Sequence, residues 1–397
     1  MGEGARARSG RTYEVRSLRP AWAEVDLSSI SHNARVLAAA ARPAALCAVV
    51  KAGGYGHGAI EVSRAALRGG AQCLAVATVE EGRELRRAGV DAPVLVLSEP
   101  PTSALSELVA WRLTPTIYTW DGLAGLRQVA ASAPQASPYP VQVKVDTGMH
   151  RVGAEPTEAI RLACAVAGDP ALSLDGLWTH FAVADEPASP FTSTQLDRFE
   201  RAVAELLAAG VRPRTLHAAN SAGLLWHPRS RFDMVRCGIT LYGLVPSQAE
   251  PAGLAQSLAP ALSLKAEVSY VKPVAAGEGI SYGLRYRTCV PTTVATVPLG
   301  YADGVPRSLA ASGGQVLIRG RRLPIAGTVT MDQLLVDCGP DAEVAVGDEV
   351  VLIGSQGEAD ISAWEWARLT GTIAYEVVCG ISARVPRVHL DAEGEPL

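Results

Sequence analysis

The chain of 397 residues carries 36 basic side chains, yet only four are lysines: Lys51, Lys144, Lys265 and Lys272. Arginine serves wherever a fixed positive charge suffices, so the lysines mark places where something else is wanted. A guanidinium keeps its proton and cannot form an imine, whereas a desolvated lysine amine can lose its proton and attack a carbonyl. Lys51 and Lys144 each close a short apolar run, as do His180, His217 and Arg236, and Arg151 follows shortly after Lys144. Two further segments, Ala219-Asn220-Ser221-Ala222-Gly223 and Cys237-Gly238-Ile239, are suited to offering backbone N–H groups and a hydroxyl to an anion. The chemistry these residues suggest is an amine meeting the carbonyl of a phosphorylated ligand. On position alone, a solvated charge at a strand end stays open as the reading of Lys51.

Bringing these groups to one mouth demands a repeating scaffold. Between residues 46 and 236, short apolar runs alternate with Gly-, Pro- or Asp-marked turns and Ala/Leu/Glu/Arg-rich stretches, the rhythm of parallel βα units. Strands are expected at 46–51, 73–77, 94–97, 116–118, 141–145, 174–179, 215–218 and 232–236, the number a closed (β/α)8 barrel requires. Helices are expected at 79–88, 155–166 and 195–209, with apolar residues at three- and four-residue steps. In such barrels the working groups lie at the carboxyl ends of the strands, with phosphate often held after the seventh and eighth. Past about residue 260, Leu264, Ala266, Val268 and Tyr270 alternate with Ser263, Lys265, Glu267 and Ser269, the pattern of a half-buried strand. Strand-like runs at 293–298, 315–318, 333–337 and 349–353, and a short helix at 363–369, complete a separate mostly-β region. The expected fold class is α/β, an N-terminal (β/α)8 TIM-like barrel followed by a C-terminal mostly-β domain. The expected divisions are a frayed tail over 1–20, the barrel over 21–257 and the β domain over 258–390, with 243–257 as linker.

Bulk properties narrow the partners. A net charge of −4, from basic and acidic residues spread along the chain, offers no basic stripe to nucleic acid or membrane, so the partner is a small molecule. Seven cysteines with no C-x-x-C pair fit neither a disulfide framework nor a zinc site, and point to a reducing cytoplasm. The seven histidines show no ligand spacing, so a metal hydrolase is poorly supported. Arg42 and Pro43 interrupt the most apolar stretch, 36–50, which argues against a membrane span.

The run Val49-Val50-Lys51-Ala52-Gly53-Gly54-Tyr55-Gly56-His57-Gly58 resembles the cofactor-lysine motif of alanine racemases, the barrel-type (fold type III) pyridoxal-phosphate enzymes. Asp146-Thr147-Gly148-Met149-His150-Arg151, Thr179-His180-Phe181, Ala219-Asn220-Ser221, Met234-Val235-Arg236-Cys237-Gly238-Ile239, Gly300-Tyr301-Ala302-Asp303-Gly304, Met331-Asp332-Gln333 and Ala374-Tyr375-Glu376-Val377 are similar to further motifs of that family, in its order. The resemblance runs from about Trp22 to Pro386.

That resemblance implies racemisation of L- and D-alanine on pyridoxal 5′-phosphate, serving D-alanine supply for cell-wall peptidoglycan. It makes Lys51 both the cofactor's covalent anchor and the base on the D-alanine face. Tyr301, from the β domain of a partner subunit, serves the L face, so the implied form is a homodimer with shared sites. Arg236 stands against the ring nitrogen and, because it keeps its proton, leaves that nitrogen uncharged. This favours racemisation over transamination. The resemblance assigns Tyr55, Ser221, Tyr375 and the N–H groups of Gly238 and Ile239 to the phosphate, with Asn220 beside them. His180 packs on the ring, and His217 supports Arg236 or is a satisfied core histidine. Arg151 meets the cofactor and the substrate carboxylate, which the backbone of Met331 from the partner also binds. Lys144 is implied as a carbamylated lysine that orients Arg151.

Two departures stand out. Gly53 and Gly54 occupy positions where the family has Asn or Asp followed by Ala, which suggests a more mobile loop and weaker cofactor retention. Thr328 replaces an Arg near the entry channel. A racemase for serine or another amino acid on the same scaffold would keep both bases and change only the pocket. A pyridoxal-phosphate carrier would lack the GYADG segment, and a barrel decarboxylase would set an acid where Arg236 stands.

Overall fold

Strands β1 (Ala45–Val49), β2 (Cys73–Val76), β3 (Val94–Val96), β4 (Thr116–Ile117), β5 (Tyr139–Lys144), β6 (Leu172–Trp178), β7 (Thr215–His217) and β8 (Met234–Cys237) are short and mostly buried on both faces, as expected of parallel strands covered by helices. In the computed structural model, which describes residues 18–132, 138–247, 252–340, 342–391 and 394–395, they pair in parallel as β3-β2-β1-β8 and β4-β5-β6-β7. Backbone bonds join the two sets. Thr114, just before β4, donates to Val94 O at 2.8 Å and accepts from Val96 N at 2.9 Å, while Asp233 N donates to Leu216 O at 3.0 Å. The eight strands therefore close in sequence order.

The helices start where the sequence supplies caps. In α1 (Leu27–Ala41), Asp26 accepts from the N–H groups of Ser28 and Ser29. Thr78 and Glu81 form a reciprocal capping box at the head of α2 (Val79–Arg87). In α3 (Pro156–Ala167), proline takes the first turn, where its missing N–H costs nothing. The longest helix, α4 (Phe191–Ala208), buries Gln195, Leu196, Phe199, Ala202 and Leu206 on one face.

A second unit is built from residues 18–25, Ser263–Ser362 and 383–395. Its larger sheet runs Arg321–Pro324, Gln315–Ile318, Glu349–Gln356, Leu262–Glu267, Ala21–Asp26, Arg387–Leu390, and a three-stranded sheet holds Tyr270–Val274, Thr292–Val297 and Leu334–Gly339.

These divisions differ from the expected boundaries at both ends. Ala21–Asp26 joins the β sheet rather than the barrel, because its AWAEVD pattern alternates buried with half-buried residues and so fits a one-sided sheet. Helices α5 (Ala363–Thr370) and α6 (Ala374–Gly380), expected within the β domain, belong to the barrel unit. There they bury Trp366, Val377 and Val378, and Trp364 Nε1 donates to Val245 O at 3.0 Å. Of the expected tail, residues 1–17 lie outside the described residues, as do residues 248–251 of the expected linker. Among the described residues no helix is long and apolar enough to cross a membrane, and no group of His, Cys, Asp or Glu could hold a metal ion.

In the β unit, a buried carboxylate ties the N-terminal segment to the Gly300-Tyr301 turn. Asp303 is 0% exposed, takes both Arg19 amino groups at 2.9 and 2.8 Å, and accepts the Gly300 N–H at 3.0 Å. Arg19→Ala leaves much of this carboxylate's bonding capacity unmet, at a cost of about 1–3 kcal/mol. The melting temperature is expected to fall accordingly and to recover in part in Arg19→Lys; an unchanged value would show that Arg19 does not hold the turn.

Candidate active site

A cavity of about 680 Å³ opens where the barrel strands end, and its lining comes wholly from the barrel unit. Lys51, Tyr55, Lys144, Arg151, His180, Asn220, Ser221, Arg236, Gly238, Ile239 and Tyr375 all line it. Tyr375 arrives on α6, which explains how a residue so late in the sequence reaches the barrel mouth. His217 is fully buried behind this surface, against Arg236.

Lys51 follows β1 and opens an unusual turn. Ala52, Gly53, Gly54 and Tyr55 have φ of 54°, 61°, 65° and 51°, a left-handed helical turn closed by Gly54 N to Val50 O at 2.9 Å and Gly56 N to Ala52 O at 3.0 Å. Left-handed turns are disfavoured for side-chain-bearing residues, so the two glycines stand where they relieve strain. A Cβ at 54 would also crowd the Ala59 backbone at 3.2 Å. Glu81 braces the turn from α2: Oε1 takes the Ala52 N–H at 2.6 Å and Oε2 the Ala77 N–H at 2.7 Å. Burial first, then the charge of Arg151, lowers the Lys51 ammonium below its usual range.

Around Ser221 the polar groups converge. Its Oγ lies 3.1 Å from Gly238 N, 3.4 Å from Thr240 N and 2.9 Å from Thr240 Oγ1, and it lines the cavity. The Ile239 N–H has no partner among the described residues. Tyr55 stacks on Tyr242 at 4.9 Å, with Tyr375 6.3 Å away. A Cβ at Gly238 would collide with the Tyr55 hydroxyl, so only glycine lets the two approach. Burial raises both Tyr55 and Tyr375, which keeps them neutral donors. Asn220 turns away from this group and caps the next helical turn, accepting from Gly223 N at 2.9 Å.

At the other end stands Arg236, 3% exposed. It donates to His217 Nδ1 at 2.7 Å, Thr179 O at 2.8 Å and Ala218 O at 3.0 Å, with a longer contact of 3.4 Å to His180 Nδ1. No carboxylate among the described residues pairs with it; Asp233 instead accepts the Leu216 N–H. Burial lowers Arg236 to about 10, opposed by Cys47 and Cys237, so it stays protonated at neutral pH. Burial and then Arg236 push both His217 and His180 well below the usual histidine range, so both are neutral acceptors. Lys144 sits 4.4 Å over the Trp178 ring and is lowered to about 7 by burial, then by Arg236 and Arg151. Arg151 is exposed and makes no hydrogen bond among the described residues.

Tyr301 and Met331 lie together in the β unit. Tyr301 N donates to Thr330 O at 2.9 Å and Ala302 N to Met331 O at 3.0 Å, leaving the two side chains 42% and 53% exposed. Thr328 ties down the neighbouring loop, donating to Tyr282 O at 3.0 Å and accepting from Ser281 Oγ at 2.6 Å. Sequence reasoning missed Glu81, Gln142, Trp178 and Tyr242. Gln142 carried a legible signal, an amide within an otherwise buried strand; the others look like ordinary capping and core residues.

Comparison with known proteins agrees across both units. Residues 25–246 match the model "Alanine racemase, N-terminal domain" and residues 261–389 match "Alanine racemase, C-terminal domain". The chain is 48% identical over 376 residues to an alanine racemase of Symbiobacterium thermophilum, covering 95% of this chain and 98% of the relative. It is 44% identical to that of Carboxydothermus hydrogenoformans, over 94% and 100%. Among solved structures, the alanine racemase from E. faecalis superposes with a TM-score of 0.87 at 39% identity, over 94% of this chain and 98% of that one. The Bacillus anthracis alanine racemase with bound L-Ala-P does so at 0.86 and 37%, over 96% and 97%.

Gly53 isolates the backbone requirement of the turn, because a Cβ there meets nothing within 4 Å. Gly53→Ala should destabilise by about 1–2 kcal/mol, and Gly53→Asn by less, since Asn tolerates the left-handed region. Equal melting temperatures for wild type and Gly53→Ala would mean the turn is not left-handed in solution.

Proposed function

The chain belongs to the alanine racemase family and is an amino-acid racemase, and on that premise we propose that it interconverts L- and D-alanine with pyridoxal 5′-phosphate held in the barrel mouth. The observation that carries this reading is the donor set of the cavity, which matches the cofactor at three points. The Ser221 hydroxyl, the Ile239 N–H and the neutral hydroxyls of Tyr55 and Tyr375 suit a phosphate, with bare Gly238 allowing close approach. Arg236 suits the ring nitrogen, and His180 the ring beside it. The amine of Lys51, lowered by burial, suits the aldehyde. A similar solved structure that holds L-Ala-P adds support.

Bound there, pyridoxal phosphate supplies an electron sink that acidifies the α-hydrogen of an amino acid joined to it. Lys51 would hold the cofactor through its nitrogen and, as a free amine, would take or return the α-proton on the D-alanine face. Tyr301 of a partner subunit does the same on the L face, and Met331 beside it offers its backbone to the substrate carboxylate together with Arg151. Opposed proton carriers invert the carbon without either having to swing round. Arg236 would donate a hydrogen bond to the ring nitrogen without releasing a proton to it, which would favour return of the proton to the α-carbon. The exposed pair of Tyr301 and Met331 supports a homodimer with shared sites. Seven free cysteines support a cytoplasmic setting, and the product suits peptidoglycan synthesis.

Lys144 completes the arrangement as a carbamate. Its nitrogen attacks carbon dioxide only when neutral, and one N–H proton then leaves to solvent. With the ammonium lowered to about 7, the neutral amine predominates above that pH and is lost below it. A carbamate carbon signal from ¹³C-bicarbonate should therefore be present at pH 8, much weaker at pH 6 and absent in Lys144→Met; its absence at pH 8 would remove the modification. Racemisation and α-proton exchange across a panel of L- and D-amino acids should show alanine turned over fastest; preference for serine would reassign the substrate. In deuterated buffer, Tyr301→Phe should slow exchange of L-alanine about 10²–10⁴-fold, the range of general acid–base catalysis, and unaltered exchange would exclude Tyr301. Lys51→Ala should lose the absorbance of covalently held cofactor.

A further inference from the structure

Beyond Arg236 the hydrogen bonds continue through the barrel wall. His217 Nε2 lies 2.9 Å from Gln142 Oε1, and Gln142 Nε2 donates to Asp175 Oδ2 at 2.8 Å. Asp175 is paired with Arg214 at 2.5 Å. The two ends of this series dictate the direction of every bond in it. A guanidinium has only donors, so His217 Nδ1 presents its lone pair to Arg236, and the proton of a neutral imidazole then sits on Nε2. An ionised carboxylate only accepts, so the Gln142 amide nitrogen faces Asp175 and its oxygen faces His217. Reading from either end gives the same orientation.

The surroundings hold this arrangement. Gln142 is 3% exposed and His217 is fully buried, so neither has bulk water as a ready alternative partner. A Cβ at Gly176 would collide with Gln142 Oε1; the glycine makes the space the amide occupies. The His217 ring stacks on Trp178 at 5.5 Å and 10°, and the Arg236 guanidinium lies 4.6 Å over the same indole. His217 therefore cannot turn its ring without unstacking.

We propose that Gln142 is a positioning residue for the reaction: it holds His217 in the Nε2–H tautomer, so that Nδ1 remains an acceptor for Arg236, while Asp175 fixes which way the amide faces. The proposal rests on the reading of Arg236 given above. An amide is the side chain this task needs, because it relays hydrogen-bond polarity outward and takes no proton itself. A leucine at 142 would instead leave the buried Nε2–H of His217 without its acceptor and remove the hold on the tautomer.

Nitrogen NMR of full-length, ¹⁵N-histidine-labelled protein tests this directly, with the His217 signals identified by their loss in His217→Phe. Wild type at neutral pH is expected to carry a single ring proton, on Nε2, and Gln142→Leu, in which that N–H has lost its acceptor, to show a shifted Nε2 signal or a population protonated on Nδ1. A wild-type proton on Nδ1 would overturn the proposal, as would Gln142→Leu signals matching wild type; the first measurement needs no variant to fold. In racemisation, Gln142→Leu should lower kcat about 10–100-fold, the usual effect of losing an outer hydrogen-bond partner, with KM moved less. Failure of the racemase reading would look different: no turnover by wild type, with His217 still protonated on Nε2.

Discussion

A guanidinium buried at 3% exposure, with no carboxylate beside it among the described residues, is the constraint around which the barrel mouth is arranged. Burying an uncompensated charge is costly, and here the compensation comes from neutral acceptors: two backbone carbonyls and imidazole nitrogen. Burial first, and then the charge of Arg236, holds His180 and His217 neutral and brings the Lys144 ammonium down to about 7. The walls of the cavity thus carry an excess of positive charge and of unspent donors, which an anion would balance.

The other half of the site depends on backbone rather than charge. Lys51 stands at the head of a left-handed turn that the sequence secures with Gly53 and Gly54, and that Glu81 pins to the adjoining strand end through both of its oxygens. Glu81 also completes the capping box of α2. One carboxylate therefore fixes a helix start and the exit of β1 together, which couples the position of the amine to the barrel rather than to a free loop.

Much of this was legible in the residues. The eight strands were found within a few positions, because parallel strands read as apolar runs ending in turns, and the polar group at each run's end marked the mouth. Period-two alternation over Leu264, Ala266 and Val268 likewise announced a one-sided sheet, although Tyr270, expected on the same face, opens the next strand and is exposed. The missed features have physical causes. Ala21–Asp26 is too short to declare which sheet it joins, and α5 and α6 carry apolar faces that do not state their destination, so only long-range packing places them. Glycines at 53 and 54 read as looseness, since a sequence does not reveal the sign of φ. Gln142 and Glu81 act through partners far away in sequence, Gln142 on His217 and Glu81 on Ala52, and no local pattern contains such pairs.

The roles of arginine and lysine in this chain follow from the same physics. The role proposed at 236 asks for a group that donates without ever releasing a proton while desolvated; a lysine there would be driven toward neutrality, as Lys144 is, and would cease to be a reliable cation. For the roles proposed at 51 and 144 the requirement is opposite, because attack on a carbonyl or on carbon dioxide needs a free lone pair. Burial supplies both outcomes from one environment: it leaves the arginine charged at about 10 and brings the lysine to about 7. The scarcity of lysine elsewhere then makes sense as the complement of its use here, since a surface charge needs no adjustable proton.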